Sequence, residues 1–485
     1  LLSSLYYIMS HYTQLNQEVH SYHVADIPES LRSNANPQAM RTRNRIYQVS
    51  STSQSQNSGG VILFNLPPAN YSISKGTIQL RCRVSVAGTN MGASNPANAV
   101  GFQGPGNTTT AVPAVFNNTG INAAGVPALG NGYAWMQRIT AYGASSAIIE
   151  QRNFLNDDMN LLLLHNSNPT YLSTDGQVAL GLGASFNYAA GWNTNTSTSA
   201  YVDLCLPLPL SMFNSSTQDF PMYLLKSPLT IQIDCASVAR AIFRGASATV
   251  SDFTVSNTYL VFQAVELPSD HIEGERAATK SAPFIMNLTS TLSVQVPYSL
   301  LSSYSLGLNC SSLRAVFVLP SNATSYSSAS QLQYQRYTAD GVAGALPVVG
   351  NNFNFSGSSV NNILFLDGNQ VNSAIYDNPQ MVFHGLKQAL HHSLQASVLY
   401  PSACNLLGYT LNQYAIGWDC ASFDEESVIF PGLPVTTVNL QLSGQFAGDA
   451  TAINGPAAAS NAITTVICVY DVLLAFTEGN MEIKR

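Results

Sequence analysis

The feature that most constrains the fold is a strict alternation of apolar and polar residues in several separate segments. In IQLRCRVSV at residues 78–86, every second side chain is apolar. The same period recurs in LTIQIDC at residues 229–235 and in VNLQLSGQF at residues 438–446. Because successive side chains of a β-strand point to opposite faces, each segment presents one face to a core and the other to water or a partner. The pattern predicts an all-β protein with one β-rich unit in each half of the chain.

Other apolar-rich segments, bounded by turn-forming residues, are also typical of strands. They lie at residues 61–66, 133–142, 147–152, 201–206, 253–265, 292–296, 312–319, 360–366 and 464–476. Tracts rich in Gly, Asn, Ala, Ser and Pro separate them, at residues 89–131, 167–200, 337–353 and 445–462. These tracts exceed the roughly 12–15 residues of ordinary connections, so we expect long surface loops raised above the sheets.

Helical patterns are few, and each half contains one of them after a run of strands. Asn156 or Asp157 would cap a short helix at residues 156–164, and Pro379 suits the first position of a helix at residues 378–390. A charge-rich stretch, LPSDHIEGERAATKSA, lies between the halves. We therefore predict an N-terminal arm at 1–54, a sandwich at 55–268, a linker at 269–283, a second sandwich at 284–478 and a C-terminal tail at 479–485.

The charge content limits the function classes that are compatible with this chain. Only 9% of the residues are charged and the net charge is −7, whereas about 25% are charged in a typical globular protein. Nineteen basic residues are too few to neutralise a row of phosphates, so we expect no direct sequence-specific binding of nucleic acid. A neutral polar surface can be buried without leaving unpaired ions, which cost about 3–5 kcal/mol. The composition favours an assembly subunit, with a secreted β-protein as the alternative.

The cysteines and the apolar runs indicate a soluble protein of a reducing compartment. Seven cysteines are scattered singly, with no CxxC pair, which argues against a disulfide framework or a zinc site. Cys82, Cys235 and Cys468 fall on the apolar phase of predicted strands. No apolar run reaches the roughly 18–20 residues that span a bilayer. No basic segment followed by an apolar core opens the chain, so we expect no signal peptide.

Motifs that would reveal an enzyme are missing from the sequence. It contains no GK dipeptide for a phosphate loop, no GxSxG and no HExxH. The weak metal-ligand candidates are the linker residues His271, Glu273 and Glu275, and His384, His391 and His392 around the second predicted helix. Linker and helix-surface residues of these types are ordinarily solvated. We therefore predict no catalytic residue, no cofactor and no metal.

Two groups of adjacent acids could suggest acid and base catalysis. They are the pair Asp157 and Asp158 and the run of acids at residues 424–426. Neighbouring positions on a helix or strand point apart, which suits helix capping or a solvated surface better than shared proton chemistry.

The densest positive charge lies in MRTRNR, where Arg41, Arg43 and Arg45 are spaced by two residues. On an extended segment these side chains would line one face. We interpret them as salt-bridging contacts inside an assembly, with lipid headgroups as the second possibility. Three charges are too few for an arm that binds a genome.

The order of the segments resembles that of one known family. In the first half the segments are VILFNLP at 61–67, WMQRITAYG at 135–143, LPLPLSMF at 206–213 and FP at 220–221. In the second half they are AVFVLP at 315–320, the turn at 365–371, NPQMVF at 378–383 and FPGLP at 430–434. Over residues 55–478 this layout resembles the double jelly-roll major capsid proteins of DNA viruses, the hexon-like lineage of adenoviruses, polintons and virophages.

The resemblance implies two consecutive eight-stranded jelly-roll β-sandwiches with short flanking helices and long surface loops. It also implies homotrimers that form pseudo-hexagonal capsomers and tile an icosahedral shell. The implied partners are further copies of the chain, neighbouring capsomers, penton and minor capsid proteins, and an internal membrane. The chain would be made in the host and reside in the virion. The alternative function is a secreted two-sandwich protein that binds carbohydrate or processes glycans.

Overall fold

A computed structural model of the chain describes residues 43–90, 100–102, 131–166, 193–196, 198–214, 218–244, 249–298, 301–322, 337–338, 352–354, 363–371, 379–394, 415–421, 431–443, 445–447 and 462–484. Sixteen strands in these ranges build two sandwiches, one in each half of the chain.

The first sandwich is built on two sheets of four principal strands each, which enclose an apolar core. Its strands are β1 (Arg43–Ser50), β2 (Val61–Leu66), β3 (Gln79–Thr89), β4 (Met136–Tyr142), β5 (Ile148–Asn153), β6 (Ser199–Pro207), β7 (Leu229–Cys235) and β8 (Thr249–Glu266). One sheet has the order β1-β8-β3-β6, and the other has the order β2-β7-β4-β5. All of these pairs are antiparallel.

The second sandwich repeats this arrangement. Its strands are β9 (Phe284–Tyr298), β10 (Leu301–Leu306), β11 (Cys310–Asn322), β12 (Ile363–Leu366), β13 (Asn369–Gln370), β14 (Ile416–Asp419), β15 (Val438–Ser443) and β16 (Ala462–Thr477). The sheet orders are β9-β16-β11-β14 and β10-β15-β12-β13. Counted from the first strand of each sandwich, both have the order 1-8-3-6 facing 2-7-4-5.

Shorter strands extend the principal sheets or form small ones. Ser55–Asn57 and Tyr71–Ile73 pair with β8, Asn193–Thr196 with β6, Leu433–Val435 with β11 and Asn480–Lys484 with β16. The two small sheets contain Val100–Phe102 with Ile242–Arg244, and Tyr337–Thr338 with Asn352–Asn354 and Gln445–Ala447.

The alternation in the sequence determines which side of each strand is buried. Along β7, residues alternate between buried and half-buried over the whole strand, and in β3 Leu80, Cys82 and Val84 all point into the core. The predicted bounds at 61–66 and 229–235 are confirmed for β2 and β7. β9 is much longer than the predicted segment at 292–296. Its first half was missed because Ser and Thr interrupt the apolar phase, although Ser290 and Thr291 are buried.

The helices are short and lie at the margins of the sandwiches. They are α1 (Leu155–Asn166), α2 (Ser211–Asn214), α3 (Val238–Ala241), α4 (Ser269–Ala278) and α5 (Pro379–Leu394). The two predicted helices correspond to α1 and α5. α4 occupies most of the stretch that we assigned to the linker. It is anchored by buried Ile272 and by Arg276, whose Nε donates to the Tyr223 carbonyl at 2.8 Å.

The ends of the described chain also join the sheets. Residues 43–50, which we assigned to the arm, form β1 and pair with β8 along their whole length. Tyr47 stacks on Tyr71, with 4.8 Å between the ring centroids. In the segment assigned to the tail, Asn480–Lys484 pairs with the end of β16. Both segments complete sheets through backbone hydrogen bonds to distant strands, which local sequence does not reveal.

Candidate assembly surface

A buried carboxylate in α1 connects the two sandwiches of the chain. Asp157 is 1% exposed. Its Oδ2 accepts hydrogen bonds from Thr465 Oγ1 at 2.8 Å and from Gln295 Nε2 at 3.2 Å, both in the second sandwich. Arg240 of the first sandwich lies 3.5 Å away and supplies a positive charge. Because a buried ion is stable only when it is paired and hydrogen-bonded, this group depends on both halves.

The sequence favoured helix capping or a solvated surface for Asp157 and Asp158, and the structure excludes the solvated surface. Both belong to the first turn of α1, where the helix dipole favours acids. They are nevertheless buried, because the start of this helix lies between the first and the second sandwich of the chain. Asp158 forms an ion pair with Arg152, whose Nε is 2.9 Å from Oδ2. The acids at residues 424–426 lie outside the described residues.

A second buried carboxylate holds the start of α2. Glu150 on β5 accepts the backbone N–H groups of Ser211 at 2.6 Å and Met212 at 3.1 Å. Burial raises the pKa of Glu150, and the two backbone hydrogen bonds oppose that rise. This carboxylate satisfies first-turn N–H groups that have no partner within the helix.

Aromatic and backbone contacts complete the joint between the sandwiches. Phe220 of the first sandwich meets Phe476 of β16 edge to face, with centroids 5.7 Å apart. The Lys226 N–H donates to the Gly479 carbonyl at 3.1 Å, which ties the turn after β16 to the first sandwich. A Cβ at Gly479 would lie 2.4 Å from Lys226 Cγ. The contact therefore extends from α1 to the hairpin at the end of the chain.

The outer face of the large sheet in the second sandwich is covered. α5 packs on β14 so closely that a Cβ at Gly417 would lie 3.0 Å from Leu386 Cα and 3.2 Å from Ala389 Cβ. Phe317 and Ile467 share a register row with Gly417, and both are buried. Where α5 lies over it, at β14 and β11, this face carries apolar side chains.

The same face of the first sandwich is polar, and none of the described elements of the chain lies over it. Arg83 on β3 forms a two-pronged ion pair with Asp203 on β6, with Nε–Oδ1 at 2.7 Å and Nη2–Oδ2 at 2.8 Å. The Arg83 guanidinium also lies over the Tyr201 ring, 4.4 Å from its centroid. Its hydrogen bonds lower the pKa of Asp203. The sequence indicated this surface, since Arg81 and Arg83 occupy the polar phase of the segment at 78–86.

A groove of about 1020 Å³ crosses this open face. Arg81 lies at its centre, between Cys205 and Tyr259 in the strand register. One wall is formed by the irregular part of β8 around Asn257, where φ is +52° and the pairing with β3 shifts. The groove offers two guanidinium groups, of Arg81 and Arg83, the Asp203 carboxylate, a thiol and several hydroxyls, which suit polar contacts rather than bond-making chemistry.

Two of the three arginines singled out in the sequence lie in β1. Arg45 Nη1 lies 3.2 Å from Glu266 Oε1, and that carboxylate also accepts the Tyr47 hydroxyl at 2.7 Å. Arg43 pairs with Glu266 in the backbone register, and Arg41 lies outside the described residues. The charge of Arg45 is thus used within the chain, and a role of these residues in assembly stays a prediction.

Metal-binding and disulfide arrangements are not seen in the described part of the chain. No group of three His, Cys, Asp or Glu side chains there is arranged to hold a metal ion. No two of the six described cysteines form a disulfide. Burial raises the pKa of Cys235 and of Cys468 to about 12, so these thiols stay protonated. Among these residues, no helix is both long and apolar enough to span a bilayer.

Comparison with known proteins identifies the fold. No protein-family profile and no curated protein sequence matches the chain. The crystal structure of PBCV-1 VP54 fitted into a reconstruction of the virophage Sputnik matches with a TM-score of 0.53 at 12% identity, covering 92% of this chain and 97% of that one. The chain has the double jelly-roll fold.

Two further structures have this double jelly roll. The Faustovirus major capsid protein matches with a TM-score of 0.50 at 8% identity, covering 90% of this chain and 91% of that one. The Sputnik virophage structure solved by cryo-EM matches with a TM-score of 0.50 at 9% identity, covering 91% and 88%. The predicted fold class, two consecutive jelly-roll sandwiches, is confirmed.

Sequence reasoning missed the residues that join the two jelly rolls. Asp157, Gln295 and Thr465 come from three distant parts of the chain, and each is ordinary in its local segment. The only available signal was the pair of adjacent acids at the start of a helix, in a chain with very few charges. The open face, in contrast, was visible as a polar strand phase.

Proposed function

We propose that this chain is a major capsid protein that forms homotrimeric, pseudo-hexagonal capsomers and tiles an icosahedral virus shell. One observation carries the proposal: two sandwiches with the same strand order follow each other in one chain, which aligns over almost the whole length of viral capsid structures. Three copies of such a chain supply six similar sandwiches. Cyclic symmetry can arrange them as one closed six-sided block.

The charge distribution also supports an assembly role. Only 9% of the residues are charged. Several of the charges that the structure describes are paired, including Arg83 with Asp203 on the open face. A surface of this kind loses little when a second protein surface displaces its water, because no isolated ion is buried.

The proposal extends to location and partners. The chain would reside in the virion, contact neighbouring capsomers, and meet penton and minor capsid proteins at the margins of the shell. The two jelly rolls, the first of which includes β1, would form the wall, and the segment before β1 would lie at its base. Arg41, Arg43 and Arg45 would contact assembly partners there, with an internal membrane as the second candidate.

The test is the mass and shape of the purified full-length chain. Light scattering is expected to give three times the mass of one chain, and negative-stain images are expected to show six-sided blocks. A chain that stays monomeric at every concentration and binds sugars would contradict the proposal and favour a carbohydrate-binding protein.

A further inference from the structure

The two jelly rolls of one chain contact each other through unlike surfaces. The first contributes α1 and β5. The second contributes the outer face of its large sheet, at Gln295 on β9 and Thr465 on β16. When two similar units contact each other through unlike surfaces, each unit keeps one of the two surfaces unused. If further copies repeat the same contact, they close a ring or extend a filament.

We propose that the outer face of the β1-β8-β3-β6 sheet receives the second jelly roll of a neighbouring copy of this chain. This inference rests on the proposed function, because it names the surface through which the trimer closes. The element assigned to the neighbour is the β12-β13 edge. That edge has the same place in the second jelly roll as the β4-β5 edge, which meets β9 within one chain.

The exposure of the outer face of the β1-β8-β3-β6 sheet supports the proposal that another copy of the chain covers it. In the second jelly roll the corresponding face is buried beneath α5 and the first jelly roll. In the first jelly roll, no described element packs over it. Ile46 projects from β1 on the same side as Ser50 and Tyr259, and it is 74% exposed. The β13 residues Asn369 and Gln370, at the edge assigned to the neighbour, are also exposed.

The charges on the face fit a neutral polar partner. Arg83 and Asp203 neutralise each other through two short hydrogen bonds. Arg81 lies opposite Tyr259 on β8 and Cys205 on β6 in the strand register. Burial of such pre-paired groups costs less than burial of isolated ions. The Asn and Gln side chains of β13 supply polar groups without a net charge, so the surface suits another copy of this chain better than nucleic acid.

The native Cys205 thiol provides a probe inside the groove. It is half-buried, whereas Cys82, Cys235, Cys310, Cys420 and Cys468 are buried and serve as internal controls. The full-length chain is treated with a maleimide reagent as the separated trimer and as a monomer, and the modification of each cysteine is followed by mass spectrometry. We expect Cys205 to react at least tenfold more slowly in the trimer, with the five controls unchanged.

Two variants test the same surface by association. Ile46→Lys places a charge on the proposed contact, and it also supplies the monomer if the parent chain does not dissociate. Val61→Lys changes an exposed residue on β2, in the opposite sheet, where the side chain is 40% exposed. We expect Ile46→Lys to weaken trimer formation at least tenfold in light scattering, and Val61→Lys to leave it unchanged.

The outcomes separate the surface from the proposed function. If trimers form but Ile46→Lys remains trimeric, or Cys205 reacts equally fast in both states, this surface is not the contact and the capsid proposal stands. If Cys205 is already protected in the monomer, the chain covers its own groove and the inference is overturned. If the parent chain never forms a trimer, the proposed function fails as well.

Discussion

The two jelly rolls share one strand order but differ in what their large sheets present outward. In the second, the outer face carries Phe317 and Ile467 and lies beneath α5. In the first, the same face carries Arg81, Arg83 and Asp203 and borders an open groove. The core-facing phase is apolar in both. One topology therefore tolerates different chemistry on its outward phase, because the element that lies over each part of a face determines which side chains are stable there.

The largest difference in the free energy of unfolding is expected between the loss of a buried ion pair in the second jelly roll and the loss of an ion pair on the open face of the first. Asp471 on β16 is fully buried, with Arg314 Nε 2.8 Å from its Oδ1 and the Ser312 hydroxyl 2.6 Å from its Oδ2. Asp471→Ala leaves the arginine unpaired, so we expect it to lower the free energy of unfolding by about 3–5 kcal/mol in urea titrations.

In the monomeric chain Asp203→Ala is the matched control, because it breaks a pair with Arg83 that is exposed within one chain. Exposed pairs contribute little to stability, so its effect is expected to be much smaller. Equal losses in the two variants would mean that burial does not distinguish these surfaces.

The next largest effect is expected at the joint between the jelly rolls. Asp157→Ala removes the acceptor of Thr465 and Gln295 and the counter-charge of Arg240. Because hydrogen bonds to a charged group are strong, we expect a loss of about 2–3 kcal/mol. Calorimetry of the variant should resolve two unfolding transitions. A single transition at the parent temperature would show that this carboxylate does not couple the two units.

A smaller effect is expected where α5 approaches β14. Gly417→Ala inserts a methyl group 3.0 Å from Leu386 Cα, so the helix must move, and we expect a loss of about 1–2 kcal/mol. Ser85→Ala is the control. Ser85 on β3 pairs with Tyr201 on β6, the strands that correspond to β11 and β14, and no described helix lies over them. Chemical unfolding should leave the control within about 0.5 kcal/mol of the parent.

The smallest effect is a difference in pH dependence between a covered and an open carboxylate. Burial raises the pKa of Glu150 above 4.5, so the folded state holds this proton more tightly than the unfolded state. The stability of the parent relative to Glu150→Gln should therefore fall as the pH rises above about 4.5. Urea titrations at a series of pH values measure this difference.

Asp203 should behave in the opposite way. Hydrogen bonds from Arg83 lower its pKa below 3.8, so the stability that it contributes is present above that pH and is lost as the pH falls. The difference between the parent and Asp203→Asn should therefore shrink on acidification. If the stability differences of both variants changed with pH in the same direction, the two carboxylates would not differ in environment as described.

Most of the fold could be predicted from local sequence. The strand bounds at 61–66 and 229–235 follow from alternation alone, and the position of Pro379 indicated the start of α5. The failures share one cause. β1 and α4 were assigned to an arm and a linker because their stability comes from pairing with β8 and from the anchors Ile272 and Arg276, not from a periodic pattern.

The sequence by itself determined that the chain forms two β-sandwiches and which phase of most strands is buried, because alternation in a strand is a property of neighbouring residues. Only the tertiary structure decided which outward faces are covered and that Asp157 is buried at the joint. These properties depend on contacts between residues that are far apart in the sequence. Asp157 is separated from Gln295 by 138 positions and from Thr465 by 308 positions. At such separations a residue's own segment contains no information about its neighbours in space.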